Sequence, residues 1–235
     1  MTGTRRSWLE TWRRRLRTLA ADAVPADPAA RAELVRTFRD ERGHRRPIDG
    51  LVLRWVTRLG TPGPSPPPPP DRPGTAAGDS PDIRTWRALL ENTPPLPTDD
   101  RTGPRPITDP DDNTAIEIWT ETELACLHAM WWHARRAHDG ADRLRRAIAD
   151  AVRWHLDMLQ PDNATNHAWA VHVFVDAAWP ENGELDHEAD LHAQGLVHAA
   201  CYTTGRPDAL SAILIHDAAD AVELMLAETD GDTPA

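Results

Sequence analysis

The chain contains no lysine, and all 26 of its basic residues are arginine. That absence removes the usual phosphate-loop cation and the Schiff-base amine. With no glycine-rich phosphate loop and no Gly-x-Ser-x-Gly motif either, nucleotide-driven chemistry and the common serine-hydrolase pattern are disfavoured. Arginine alone fits bidentate anion binding, or more simply the coding bias of a GC-rich genome. There are only two cysteines, Cys126 and Cys201, in neither metal-ligand nor disulfide-framework spacing. A reducing compartment is the plain reading, with both as small residues inside helices. No apolar run approaches the ~20 residues needed to span a bilayer. Arg5-Arg6-Ser7-Trp8-Leu9 glances at a twin-arginine signal, but Thr11-Trp12-Arg13-Arg14-Arg15 stands where an apolar region should follow. A cytoplasmic location is expected.

What is present divides the 235 residues unevenly. Residues 1–60 hold fourteen arginines against seven acids, residues 61–115 five against nine, and residues 116–235 seven against twenty-one. The first segment reads as a basic helical piece. Trp8, Leu9, Trp12, Leu16 and Leu19 recur at helical spacing, a second helix is expected from Pro28 to Gly43, and a short third from Leu51 to Leu59. Basic residues interleaved with tryptophan can meet a membrane surface or nucleic acid, but seven acids among them and the acidic remainder argue against both. Residues 61–115 carry fifteen of the 22 prolines, Pro66 to Pro70 consecutively, and read as a largely irregular linker, with Asp82 to Glu91 forming one helical turn or two. Such a tract is either a spacer or a ligand for aromatic-grooved modules.

From residue 116 to 228 the pattern is helical throughout, with a polar tail at 229–235. Thr120-Glu121-Thr122-Glu123 has the form of a capping box opening a helix to about His138, with Leu124, Leu127, His128, Trp131 and Ala134 on its apolar stripe. Further helices are expected over about Ala141–Leu159, His167–Trp179, Asp186–Thr203 and Asp208–Glu228. The fourth is read with Leu191, Gly195, His198 and Tyr202 aligned toward the core. Adjacent Trp131 and Trp132 are not both expected to face the core. The fold class is therefore all-α: antiparallel helical hairpins of a toroid-like or helical-repeat bundle, preceded by a short helical segment and a proline-rich linker.

Ten of the eleven histidines lie after residue 116, and His128, His155 and His198 fall on apolar stripes, as does Asp217 on the last helix. A buried polar group must find a partner or cost ~1–3 kcal/mol, so these four are either satisfied core or the lining of a functional interior. Antiparallel alternation gathers His155, His198, the Gln160–Asn166 loop, His167, Arg206 and Trp119 at one end of the bundle. Candidate acid–base residues are His155, His198 and Asp217, because imidazole titrates near neutrality and a carboxylate can orient it. Candidate ligand contacts are Trp119, Gln160, Asp162, Asn163, Asn166, His167 and Arg206. Histidines from separate helices with a carboxylate could also hold a divalent metal such as zinc, iron or manganese, with His128, His155 and His198 as the ligands. His187-Glu188-Ala189-Asp190-Leu191-His192 is not the metalloprotease motif, since its second histidine arrives one residue late.

In Trp154-His155 before the 160–166 loop, and in its hairpin spacing, residues 116–228 resemble α/α-toroid domains. That likeness implies an enzyme acting on a small polar or sugar-like molecule, without assigning any residue a role. The absence of a catalytic signature favours the other expectation, a protein-interaction or scaffold module. Expected partners are accordingly a protein or a small polar ligand.

Overall fold

The computed structural model describes residues 4–58, 79–93, 95, 103–110, 114–136, 140–159, 165, 167–180 and 184–231. Among them the secondary structure is entirely helical: α1 Arg5–Leu19, α2 Pro28–Thr37, α3 Pro47–Thr57, α4 Pro81–Glu91, α5 Ile116–Arg136, α6 Ala141–Met158, α7 Val171–Ala177, α8 His187–Cys201 and α9 Ala209–Gly231. No helix among the described residues is long and apolar enough to cross a membrane.

The local chemistry explains most of the helix starts. The Thr4 side chain accepts the Ser7 N–H at the head of α1, and Asp27 accepts from Ala30 before Pro28 in α2. Pro47 and Pro81 occupy the first turns of α3 and α4. Asp186 accepts from Glu188 and Ala189 at the start of α8. The Thr120–Glu123 box is a correction. Helix α5 begins at Ile116, so those residues are interior, and Glu123 is consumed elsewhere. Helix α2 also stops at Thr37 rather than Gly43, because Phe38 turns to extended ψ.

One hydrophobic core runs from Leu9 to Leu226. Helix α1 packs along α9, α3 bridges α4 and α9, α4 and α6 flank α5, and α7 lies between α8 and α9. The basic segment is therefore built into the acidic helices, with Arg17 bonding Asp220 and Glu223 at 2.6 Å each. Helix α4 is more than a turn or two: its Trp86 and Leu89 are fully buried, and the Trp86 indole donates to the Ala125 carbonyl at 3.0 Å. Helix α5 is the central rod, buried on every side from Glu123 to Ala134. That enclosure is why both Trp131 and Trp132 are buried, against expectation.

Candidate functional site

Asp217 is the centre of the buried polar network. Trp55 of α3 donates its indole N–H to Oδ1 at 3.1 Å, Trp132 of α5 donates to Oδ2 at 2.7 Å, and His128 Nε2 stands 2.9 Å from Oδ2. The other nitrogen of His128, Nδ1, accepts the backbone N–H of Ala170 at 3.1 Å. Since Nδ1 is an acceptor, the imidazole is neutral with its proton on Nε2, and Asp217 receives three N–H donors. The ionised carboxylate is the form that uses all three. Burial pushes the His128 pKa down to about 3. Burial also raises the Asp217 carboxyl from 3.8, opposed by His172 and by the Trp132 hydrogen bond. Ala170 itself sits at a φ of 55° just before α7, the geometry that aims its N–H at His128.

His172 lies against this pair, with its ring 4.2 Å from that of His128 and 4.8 Å from Trp131. It is fully buried, and neither ring nitrogen makes a well-formed hydrogen bond. Desolvation, then the neighbouring His128, holds its pKa well below 6.5. The sequence reading missed this residue. Helix α7 is buried from Val171 through Val175, so no apolar stripe or polar face singles His172 out.

Asp176 gathers a second set. Its carboxylate accepts from the Trp131 indole at 2.8 Å, from Arg135 at 2.9 Å and from Arg5 at 3.3 Å, while the Arg135 guanidinium lies 4.6 Å above Trp131. Glu123 forms a third. Fully buried, it accepts the backbone N–H groups of Ile107 and Thr108 at 2.6 and 2.7 Å and the Thr108 hydroxyl at 2.7 Å. His155 Nε2 stays 3.8 Å from Glu123 without a hydrogen bond. Its ring lies 5.9 Å from Phe174 and 6.1 Å from His192, which stacks on Phe174 at 4.1 Å. Burial lowers the His192 pKa to about 3.

The fourth set is at the end of the bundle where the sequence gathers its candidates. Glu121 Oε1 accepts from Arg46 at 2.5 Å and from the Trp169 indole at 3.2 Å, and pairs with His167 Nδ1 at 2.8 Å in a poorly directed contact. Asp208 stands 4.0 Å from the other side of His167. The His167 and Arg46 cations outweigh desolvation and bring Glu121 down to about 2, and Glu121 in turn raises His167. Beside this cluster Arg46, Ile83, Asp82, Ile118 and Glu121 line a cleft of about 330 Å³.

The sequence candidates are thus divided among separate places. His128 and Asp217 meet directly, and His155 is core beside Glu123. His198 is exposed, its ring 5.9 Å from Tyr202, in an open groove of about 490 Å³ between α1 and α8. That corrects the orientation of α8. Its buried face is Ala189, His192, Ala193, Leu196 and Val197, while Leu191 and Tyr202 are 64% and 79% exposed. The proposed metal set of His128, His155 and His198 is therefore not assembled. Among the described residues no group of three or more His, Cys, Asp or Glu is placed to hold a metal ion. Trp119 is buried edge-on to Trp154 at 5.5 Å, and Arg206 is exposed. Gln160, Asp162, Asn163 and Asn166 lie outside the described residues.

Comparison with protein-family models, with curated proteins and with solved structures found no match to this chain.

Proposed function

We propose that the chain is a protein-interaction or scaffold module built on a rigid helical core. The observation that carries this reading is the closure of the histidine–carboxylate network: His128 and Asp217 expose 0% and 1% of their side chains and spend their bonds on Trp55, Trp132 and the Ala170 backbone. An acid–base pair must reach its substrate's proton through hydrogen-bond distance or one water. This pair is enclosed by tryptophan and helix backbone, so its fitted role is to join α3, α5 and α9 and the turn before α7. Two concave surfaces among the described residues lie elsewhere, as open grooves along seams between elements, the form that partner segments use.

The second reading is a small-molecule site at the Arg46–Glu121 cleft. Its support is the cleft itself, with a guanidinium and two carboxylates at one end of the bundle. Glu121, held ionised down to about pH 2, could orient His167 or receive a ligand cation but not donate a proton at neutral pH.

A thermal-shift survey against small polar compounds, monosaccharides and amino acids included, separates the two. The interaction reading expects no shift at millimolar concentration for the native chain. A stabilisation by one compound class that is lost in Arg46→Ala overturns it in favour of the cleft.

A further inference from the structure

We infer that the groove between α1 and α8 docks an acidic amphipathic helix of a partner protein. This rests on the interaction reading and names the surface and its occupant. The groove is lined by Arg14, Arg15 and Thr18 from α1 and by Val197, His198 and Cys201 from α8. The Trp12 indole of α1 donates to Asp190 of α8 at 2.9 Å and ties the two helices together.

Two features point to its occupant. The first is charge. On α1, Arg5, Arg6, Arg13 and Arg17 each reach an aspartate or glutamate. Arg14 and Arg15 are exposed and make no ion pair among the described residues, although the chain carries 37 acids against 26 arginines. Arg15 instead lies 5.0 Å over the Trp12 ring. Arg206, next to the groove residue Gly205, is likewise exposed without an ion pair. Guanidiniums without an ion pair at this groove are complementary to carboxylates.

The second is the apolar stripe of α8. Leu191, Gly195, His198 and Tyr202 fall within an arc of about 60° on that helix. Leu191 and Tyr202 are its large exposed apolar groups. Tyr202 adjoins the groove through His198, their rings 5.9 Å apart, and Leu191 continues the same face of α8 beyond it, so an incoming helix would meet apolar contacts on one side and guanidiniums on the other. That combination fits an amphipathic helix with acidic flanks. A polyphosphate needs no apolar wall, so the exposed apolar stripe of α8 favours the helix.

The test uses the full chain and a synthetic helical peptide with leucines at i, i+3, i+4 and i+7 and glutamates on the flanks. A lysine-flanked version, a single-stranded oligonucleotide and anionic vesicles serve as comparison probes. Binding is read by anisotropy or co-sedimentation, mapped by amide shifts, and the mass of the chain is followed with concentration by light scattering. The acidic peptide is expected to bind in a salt-sensitive manner, shifting residues of α1 and α8. Arg14→Glu with Arg15→Glu should weaken it about tenfold or more, and Leu191→Ser with Tyr202→Ser by a similar factor, with folding checked by unchanged Tm. Preference for the oligonucleotide, the vesicles or the lysine peptide overturns the inference, as does self-association abolished by the arginine variants. If the acidic peptide binds but shifts only the Arg46–Glu121 cleft, the groove falls and the interaction reading stands. If no peptide binds and a small molecule occupies the cleft, both fall.

Discussion

His128 Nε2 lies 2.9 Å from Asp217 Oδ2, across 89 residues of sequence, with both side chains closed to solvent. The pair joins the central helix to the last one, and Trp55 ties the basic segment to the same carboxylate. Replacing Asp217 by asparagine keeps the volume but turns an N–H₂ group toward indole and imidazole donors. A loss of about 2–4 kcal/mol is expected from the unsatisfied groups. Denaturant unfolding of Asp217→Asn measures it, and a change below about 0.5 kcal/mol would show the network to be dispensable.

Acid should unfold the protein through its buried histidines. His128 and His192 are held at about 3, and His172 well below 6.5. An unfolded chain takes up their protons near pH 6.5, whereas the folded one does not. The contribution of His128 and His192 is thus full above that value and is lost as pH falls from about 6.5 toward about 3, with a slope approaching about 1.4 kcal/mol per pH unit for each, and His172 acts in the same direction. His167 has the opposite sign. Its raised pKa contributes stability below its ordinary value that is lost as pH rises through the folded one. Thermal melts between pH 5 and 8 should show Tm dropping on the acid side, less steeply in His192→Phe. A flat profile would count against neutral buried imidazoles.

The buried carboxylate of Glu123 should control the segment before α5. Its three bonds to Ile107 and Thr108 hold residues 103–110 on the helix. Glu123→Ala is expected to cost about 2–4 kcal/mol and to speed amide exchange at Ile107 and Thr108 well beyond that in α9. Exchange that rises uniformly across the chain would mean that Glu123 supports the whole core instead.

The two faces of α8 make a simple contrast. Leu196→Ala removes a fully buried side chain and should cost about 2–5 kcal/mol, whereas Leu191→Ala on the exposed stripe should stay within about 0.5 kcal/mol. Equal losses at the two positions would restore the orientation expected from sequence.

That orientation shows where sequence patterning stops. Helix periodicity located α1 and α5 to α9, because bulky apolar residues at 3–4 spacing mark a buried stripe in most of them. On α8 the large side chains Leu191 and Tyr202 mark the outer face. The inner face sets Ala189, Ala193 and Ala200 around His192 beside Leu196 and Val197, and its small residues let helices approach closely but carry little hydrophobic signal. Trp55 and His172 could not be tied to Asp217 from sequence. One is 162 residues away, and the other lies in a seven-residue helix buried from Val171 to Val175, which offers no amphipathic pattern to place it. Glu123 illustrates a local motif overridden by tertiary demand: its capping-box spacing is intact, but α5 starts a turn earlier and the carboxylate serves Ile107 and Thr108.

The central claim, that the histidine–aspartate pair is closed structural core, is tested most directly by long-range ¹⁵N–¹H correlation of the histidine rings from pH 5 to 8. His128 should remain neutral and protonated on Nε2 at every pH, in keeping with a pKa of about 3, while exposed His198 serves as the solvent-facing comparison. A His128 ring that titrates within this range, or that carries its proton on Nδ1, would contradict the account and return the pair to consideration as a reactive centre.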